Sequence, residues 1–133
     1  MRRFIPALVA VALTACAPTR YLTNAEIPSA KDLKSVMWAQ AQLTDPAFKK
    51  INAPAYSDAD WAAFLAIGER LQLTTAKIKG DFSKGQHWNE LADSLAGQAG
   101  ELTAAAQSKN VKAASEALGA MRASCRACHA DFR

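Results

Sequence analysis

From Leu33 onward, apolar residues recur three or four positions apart, the spacing of one face of an α-helix. Leu33, Val36, Met37 and Leu43, with Gln40 between them, mark a first helix that begins near Ser29 or Lys31. Asp45-Pro46 is expected to interrupt it, because proline has no N–H for the interior hydrogen bond, with a short piece over 46–51 continuing after a kink. Asn52 to Tyr56, which contains Pro54, reads as a connection. Ser57-Asp58-Ala59-Asp60 is a capping box that opens a second helix with the face Trp61, Phe64, Leu65, Gly68, Leu71, Thr75, Ile78. Gly80 fits its C-terminal cap, and 80–86 is a loop. A third helix runs from about His87 to Ser108 on Trp88, Leu91, Leu95, Ala99, Leu102 and Ala106. Asn110 is a good N-cap for the fourth. Its face, Val111, Ala114, Leu118, Met121, Cys125, Cys128, Phe132, alternates gaps of three and four as a heptad seam does.

Four amphipathic helices with short connections predict an all-α, antiparallel up-down-up-down four-helix bundle over 31–133. The many alanines favour helix and let helices approach closely. No repeat of solenoid period is present. Ahead of the bundle, Met1-Arg2-Arg3 followed by the apolar run Phe4 to Ala15 reads as a secretory signal peptide over 1–15, too short to span a bilayer. The run ends in Leu13-Thr14-Ala15-Cys16, which resembles the bacterial lipobox, so Cys16 is the expected site of lipid attachment and of a membrane anchor. The residues after it, 17–29, contain two prolines and no helical period. Residues 16–30 are therefore expected to be a lipidated cysteine and a flexible tether, long enough to hold a small domain clear of lipid headgroups.

Half of all residues are hydrophobic, enough for one core, and the mature length suits one domain. The formal charge of +4 falls to +2 once Arg2 and Arg3 leave with the signal peptide. The basic residues are scattered along the sequence, so no nucleic-acid footprint is expected. Cysteine usage closes: of three cysteines, one is assigned to lipid and two remain, Cys125 and Cys128.

Those two belong to Cys125-Arg126-Ala127-Cys128-His129, a C-x-x-C-H run, the attachment signal for c-type haem. The thiols add to the haem vinyl groups as thioethers and the histidine becomes an axial iron ligand. On a helix, spacings of three and four bring all three side chains near one face. Three other readings are weaker. A thioredoxin-like C-x-x-C needs a strand before it and a helix after it. A structural zinc site needs four ligands, and only His87 is left to complete the set. A disulfide between residues three apart on a helix is strained. In an up-down-up-down bundle the starts of helices one and three lie at the same end as this motif, so Met37, Trp38 and His87 are candidates for the opposite haem face. Met121 lies about 12 Å along the axis from His129 on the same helix, and its expected role is packing.

The motif at the end of the last helix, the export signal and the four-helix pattern together resemble the cytochrome c prime family over about 31–133. Ala55-Tyr56-Ser57-Asp58 and His87-Trp88 are similar to the family pattern as well. Typical c-type cytochromes carry the haem motif near the N-terminus instead. The resemblance implies one covalent haem c. It implies that helix one supplies the residue on the distal side of the iron, a methionine ligand in low-spin members and a non-ligating side chain in high-spin ones. Met37 matches the methionine position, which makes it the expected sixth ligand, with His87 as the alternative. Lys34 stands near a family arginine that reaches a haem propionate, and Arg133 matches another close to the histidine side. Two departures stand out. Pro46 falls where the family's first helix runs on, and the loop over 80–86 is shorter than in many relatives, a loss expected to expose the haem edge or alter docking.

The function implied is a periplasmic electron carrier, lipid-anchored to the membrane and serving redox partner proteins. If Met37 does not bind iron, the implied function is a five-coordinate binder of nitric oxide or carbon monoxide. A third possibility is a haem-bearing subunit of a larger redox complex. Relatives often dimerise, so a homodimer is among the implied assemblies. No acid/base pair, nucleophile or phosphate loop is apparent, and an enzyme is not expected.

Overall fold

The computed structural model describes residues 20–133, so the expected signal peptide and Cys16 lie outside the described residues. Four helices follow one another: α1 (Leu33–Phe48), α2 (Asp58–Asp81), α3 (Gln86–Gln107) and α4 (Val111–Phe132). Among the described residues there is no strand, and the chain is an all-α four-helix bundle. Three of the helix starts are fixed by side chains that satisfy an orphan backbone N–H. Asp32 accepts from Ser35 N at 2.8 Å. Asn110 accepts from Ala113 N at 3.0 Å. Ser57 and Asp60 form the reciprocal capping box expected for α2.

Local chemistry departs from expectation in three places. α1 is not interrupted at Asp45-Pro46 but runs through Pro46 to Phe48. Pro46 lies in the last turn, and the carbonyl that loses its donor belongs to Gln42, whose exposure leaves water as the replacement. Gly80 is not the cap of α2, which continues to Asp81 with Phe82 as its C-cap. The true break is Gly85, whose φ of +110° is open to glycine and rarely to other residues. The α3–α4 turn places Lys109 in the left-handed region, with Asn110 N bonded to Ala105 O and Lys109 N to Ala106 O. This is a Schellman closure without the usual glycine.

Residues 20–30, expected to belong to the tether, are instead folded onto the bundle. Thr23 and Glu26 cap a turn, Ile27 opens a short 3₁₀ turn and is fully buried, and Leu22 packs beside Val36 and Ile78. Arg70, buried in α2, donates to Asn24 and, at 2.9 Å, to Ala39 O, riveting this segment and α1 to α2. Nothing in the hydrophobic period signals that rivet, because it rests on a charged side chain.

The core has two parts. One, built by α2, α3 and α4, centres on Phe64, Ile67, Leu71, Leu102, Leu118 and Met121, with Tyr56, Trp61 and Phe64 meeting edge to face. Leu65, expected on this face, is 40% exposed, and Ile67 takes the interior position. The other part, near the start of α1 and the end of α4, gathers Val36, Ile78, Trp88 and Ala92, with Met37, Cys128 and Phe132 at its margin. The Trp88 indole donates to Ile78 O at 3.1 Å, pinning the start of α3 to the end of α2. α2 and α3 approach closely at Gly68, where a Cβ would lie 2.0 Å from Thr103 Oγ1. By contrast α1 and α4 touch far less than the other neighbouring pairs. That gap holds the candidate site.

Candidate haem site

Between α1 and α4 lies a mainly apolar cavity of about 240 Å³. Cys125, Cys128 and His129 line one wall from α4, and Met37, Gln40, Thr44 and Phe48 line the other from α1. Ile78, Leu91 and Leu95 close the back. It continues into an open cleft of about 720 Å³ that shares Met37, Ala41, Asp45, Cys128 and His129 with it. The cleft falls within the roughly 300–1,000 Å³ of small-molecule sites. The helical register explains the α4 wall: the heptad seam that buries Ala114, Leu118 and Met121 carries on to Cys125 and Cys128, which are half-buried where the bundle opens. His129, one position further round, stands at the rim and is exposed.

The thiols are electrostatically quiet. Burial, then the neighbouring Cys128 and Asp45, push the Cys125 thiol up to about 11. Cys128 is raised as well, by burial and then Asp131, with Lys84 opposing. A redox-active C-x-x-C lowers its nucleophilic thiol instead. Together with the place of the pair at the end of a helix, this argues against the thioredoxin-like alternative. Among the described residues no three His, Cys, Asp or Glu side chains converge as a metal-binding set. The fourth ligand that zinc would require, His87, is turned to Asp131, with Nε2 to Oδ2 at 2.8 Å and its ring beside Phe132. For the same reason His87, the alternative sixth ligand, lines neither the cavity nor the cleft. Trp38 reaches only the cleft, with the Lys34 ammonium 4.8 Å above its ring. Met121 is fully buried in the core, as expected. Of the candidates for the distal face, Met37 alone lines both the cavity and the cleft.

Lys34 and Arg133 both line the cleft. Three cations that the sequence did not single out join them. Lys84 lies over Trp88 and Phe132 and donates to Phe132 O at 3.3 Å, while Arg122 and Arg126 line the cavity. Among the described residues these five have no carboxylate partner within ion-pair distance, whereas most other lysines are paired. Asp45 is the one carboxylate that lines both spaces. A flat apolar macrocycle with two carboxylates fits this setting, with apolar walls, two thiols on one side, thioether and imidazole donors across the gap, and a cationic rim.

Fold and motif together define a class, the four-helix c-type cytochromes. A family model described as Cytochrome C' matches residues 28–133, and the chain belongs to that family of haem-binding proteins, whose members are generally electron carriers or gas binders. No curated protein and no solved structure matches the chain. Proteins of the family are typically periplasmic, and among the described residues no helix is long and apolar enough to cross a membrane.

Proposed function

We propose that this protein carries single electrons on one haem c, bound covalently through Cys125 and Cys128, with His129 as one axial ligand and Met37 as the other. The observation that supports it is the single cavity lined from α4 by Cys125, Cys128 and His129 and from α1 by Met37. When bound, the haem iron supplies a one-electron couple, whose potential methionine ligation tends to raise. The chain's own residues do the rest. Ile78, Leu95 and Phe48 keep water from the inner wall, and burial without water tunes the potential further. Lys34, Lys84 and Arg133 offer positive charge to the propionates at the rim. His129 of α4 and Met37 of α1 would together fill the iron's coordination, so no ligand would need to be gained or lost on electron transfer and reorganisation would stay small. Lipid on Cys16 holds the carrier at the periplasmic side of a membrane, within reach of redox partner proteins.

A second reading, binding of nitric oxide or carbon monoxide, draws support from the α1 wall. There Ala41, Thr44 and Phe48 beside Met37 offer no further ligand and would border a small gas on that side. Absorption spectra of oxidised and reduced protein, with and without carbon monoxide, separate the two. Electron transfer through His129 and Met37 requires a low-spin spectrum that carbon monoxide leaves unmoved. Met37→Ala should turn it into a high-spin, carbon monoxide-binding form. An unchanged spin state in that variant removes Met37 as a ligand, and a high-spin wild type puts gas binding first.

A further inference from the structure

We propose that the surface where Tyr21 of the N-terminal segment meets Trp38 of α1 rests on the phospholipid headgroups, so that the cleft opens toward the bilayer. The inference builds on the lipid attachment at Cys16 proposed above.

Chain length supplies the first argument. The fold takes hold at residue 20: Arg20 pairs with Glu26, Asn24 with Arg70, and Ile27 is buried. Four Cα steps separate Cys16 from Arg20. At 3.3–3.6 Å per residue they span at most about 14 Å, little more than one helix diameter. A domain so closely tied cannot stand clear of the headgroups or turn its far side, α3, toward them.

The surface at that point supplies the second. Among the described residues the exposed large hydrophobic side chains are Tyr21 (42%), Trp38 (44%) and Leu65. Leu65 stands apart on α2, whereas Tyr21 and Trp38 line one shallow pocket with Gln42 and Pro46. Tyrosine and tryptophan are the residues that favour the headgroup level, with an apolar body and a polar tip. Beside them the cleft is rimmed by Lys34, Lys84 and Arg133, which the two haem propionates and Asp45 would offset, so the rim sets no net charge against anionic headgroups. An acidic protein as the occupant accounts for neither the adjacent exposed aromatics nor the short reach. In this orientation the His129 rim faces the membrane, and the favoured electron-transfer partner is one embedded in it.

The test uses the full lipidated holoprotein on vesicles of phosphatidylethanolamine and phosphatidylglycerol. A nitroxide is placed at Gln42→Cys or, across the bundle on α3, at Glu101→Cys. Collision with an aqueous nickel chelate is then read by electron paramagnetic resonance. The proposal requires several-fold lower collision at 42 than at 101. It also requires that this shielding be lost in the Tyr21→Ser/Trp38→Ser background while the acyl anchor keeps the protein on the vesicles. Equal exposure of both labels leaves the patch to an acidic redox protein and overturns the proposal. Shielding at 101, or shielding at 42 that survives loss of both aromatics, overturns it as well. Intact mass is measured on the same sample. A Cys16 without acyl chains removes the premise and with it the proposal, whereas the haem spectrum reports separately on electron transfer.

Discussion

α2 and α3 approach closely at Gly68, and replacing it by alanine has an effect that can be worked out in sign and size. The added Cβ would sit 2.0 Å from Thr103 Oγ1, 3.3 Å from Ala99 O and 3.4 Å from Thr103 Cβ. The first distance is impossible. Thr103 can escape by turning about χ1, but its hydroxyl then gives up the 3.0 Å hydrogen bond to Ala99 O, worth about 1 kcal/mol. Its methyl group then needs space in a packed interface. Overpacking of this kind costs roughly 1–3 kcal/mol. Against it stands the helix preference of alanine over glycine, about 1 kcal/mol. The expected net is a loss of about 1–3 kcal/mol, read as a lower midpoint in thermal or urea unfolding of the holoprotein followed by circular dichroism. The Thr103→Ala background separates the terms. With Oγ1 gone the clash disappears, only the tight 3.3 Å approach to Ala99 O remains, and Gly68→Ala should be neutral or slightly stabilising. A coupling of about 1–3 kcal/mol between the two sites follows. If Gly68→Ala costs nothing alone, or costs the same in the wild-type and Thr103→Ala backgrounds, the close approach of α2 and α3 is not as described. The contact matters beyond stability, since Ile78 of α2 and Leu91 and Leu95 of α3 form the back of the cavity.

Arg70→Met should cost about 1.5–3 kcal/mol, the worth of hydrogen bonds from a charged donor, and should raise protease cleavage within 20–30, because Asn24 and Ala39 O lose their partner. Unchanged cleavage would mean that Ile27, Leu22 and the Lys77 hydrogen bond to Pro28 O hold the segment without Arg70. Phe64→Ala should cost about 3–5 kcal/mol, whereas Leu65→Ser next to it should stay within about 0.5 kcal/mol, both measured by urea unfolding. Similar losses at the two sites would refute the assigned face of α2. Hydrogen bonds from Lys50 and then from Ser57 lower Asp60 from 3.8 to about 2. A carboxylate lowered in the fold contributes stability that is present above about 3.8 and lost as pH falls through about 2. Asp60→Asn should therefore lower stability at neutral pH and flatten its acid-side fall in that window, a comparison made by unfolding curves at a series of pH values.

Much of this protein is set by local rules that a sequence displays. The helices follow from period, and the starts of α2 and α4 follow from Ser57 and Asn110, because a cap acts only over the next three residues; the start of α1, expected near Ser29 or Lys31, falls instead after Asp32. The C-x-x-C-H run is legible for the same reason: three side chains on one helical turn need no tertiary partner to lie near one face. The errors fall where the outcome depends on distant neighbours. Pro46 looks like a break until its place in the last, solvent-facing turn of α1 is known. Residues 20–30 look like a tether because Ile27 and Asn24 find their partners on α2, far along the chain. Topology alone does not separate His87 from Met37; the family resemblance favours Met37, and packing adds a second difference. Asp131 and Phe132 draw His87 to the outside, while α1 leaves Met37 facing the gap. Cations scattered along the sequence become one rim because α1, the α2–α3 loop and α4 end at the same opening. The sequence by itself determined four helices, the N-caps of α2 and α4 and the motif, since each depends on residues within a turn of one another. Only the tertiary structure decided that α1 and α4 stand apart, because the space between two helices is set by how all four pack.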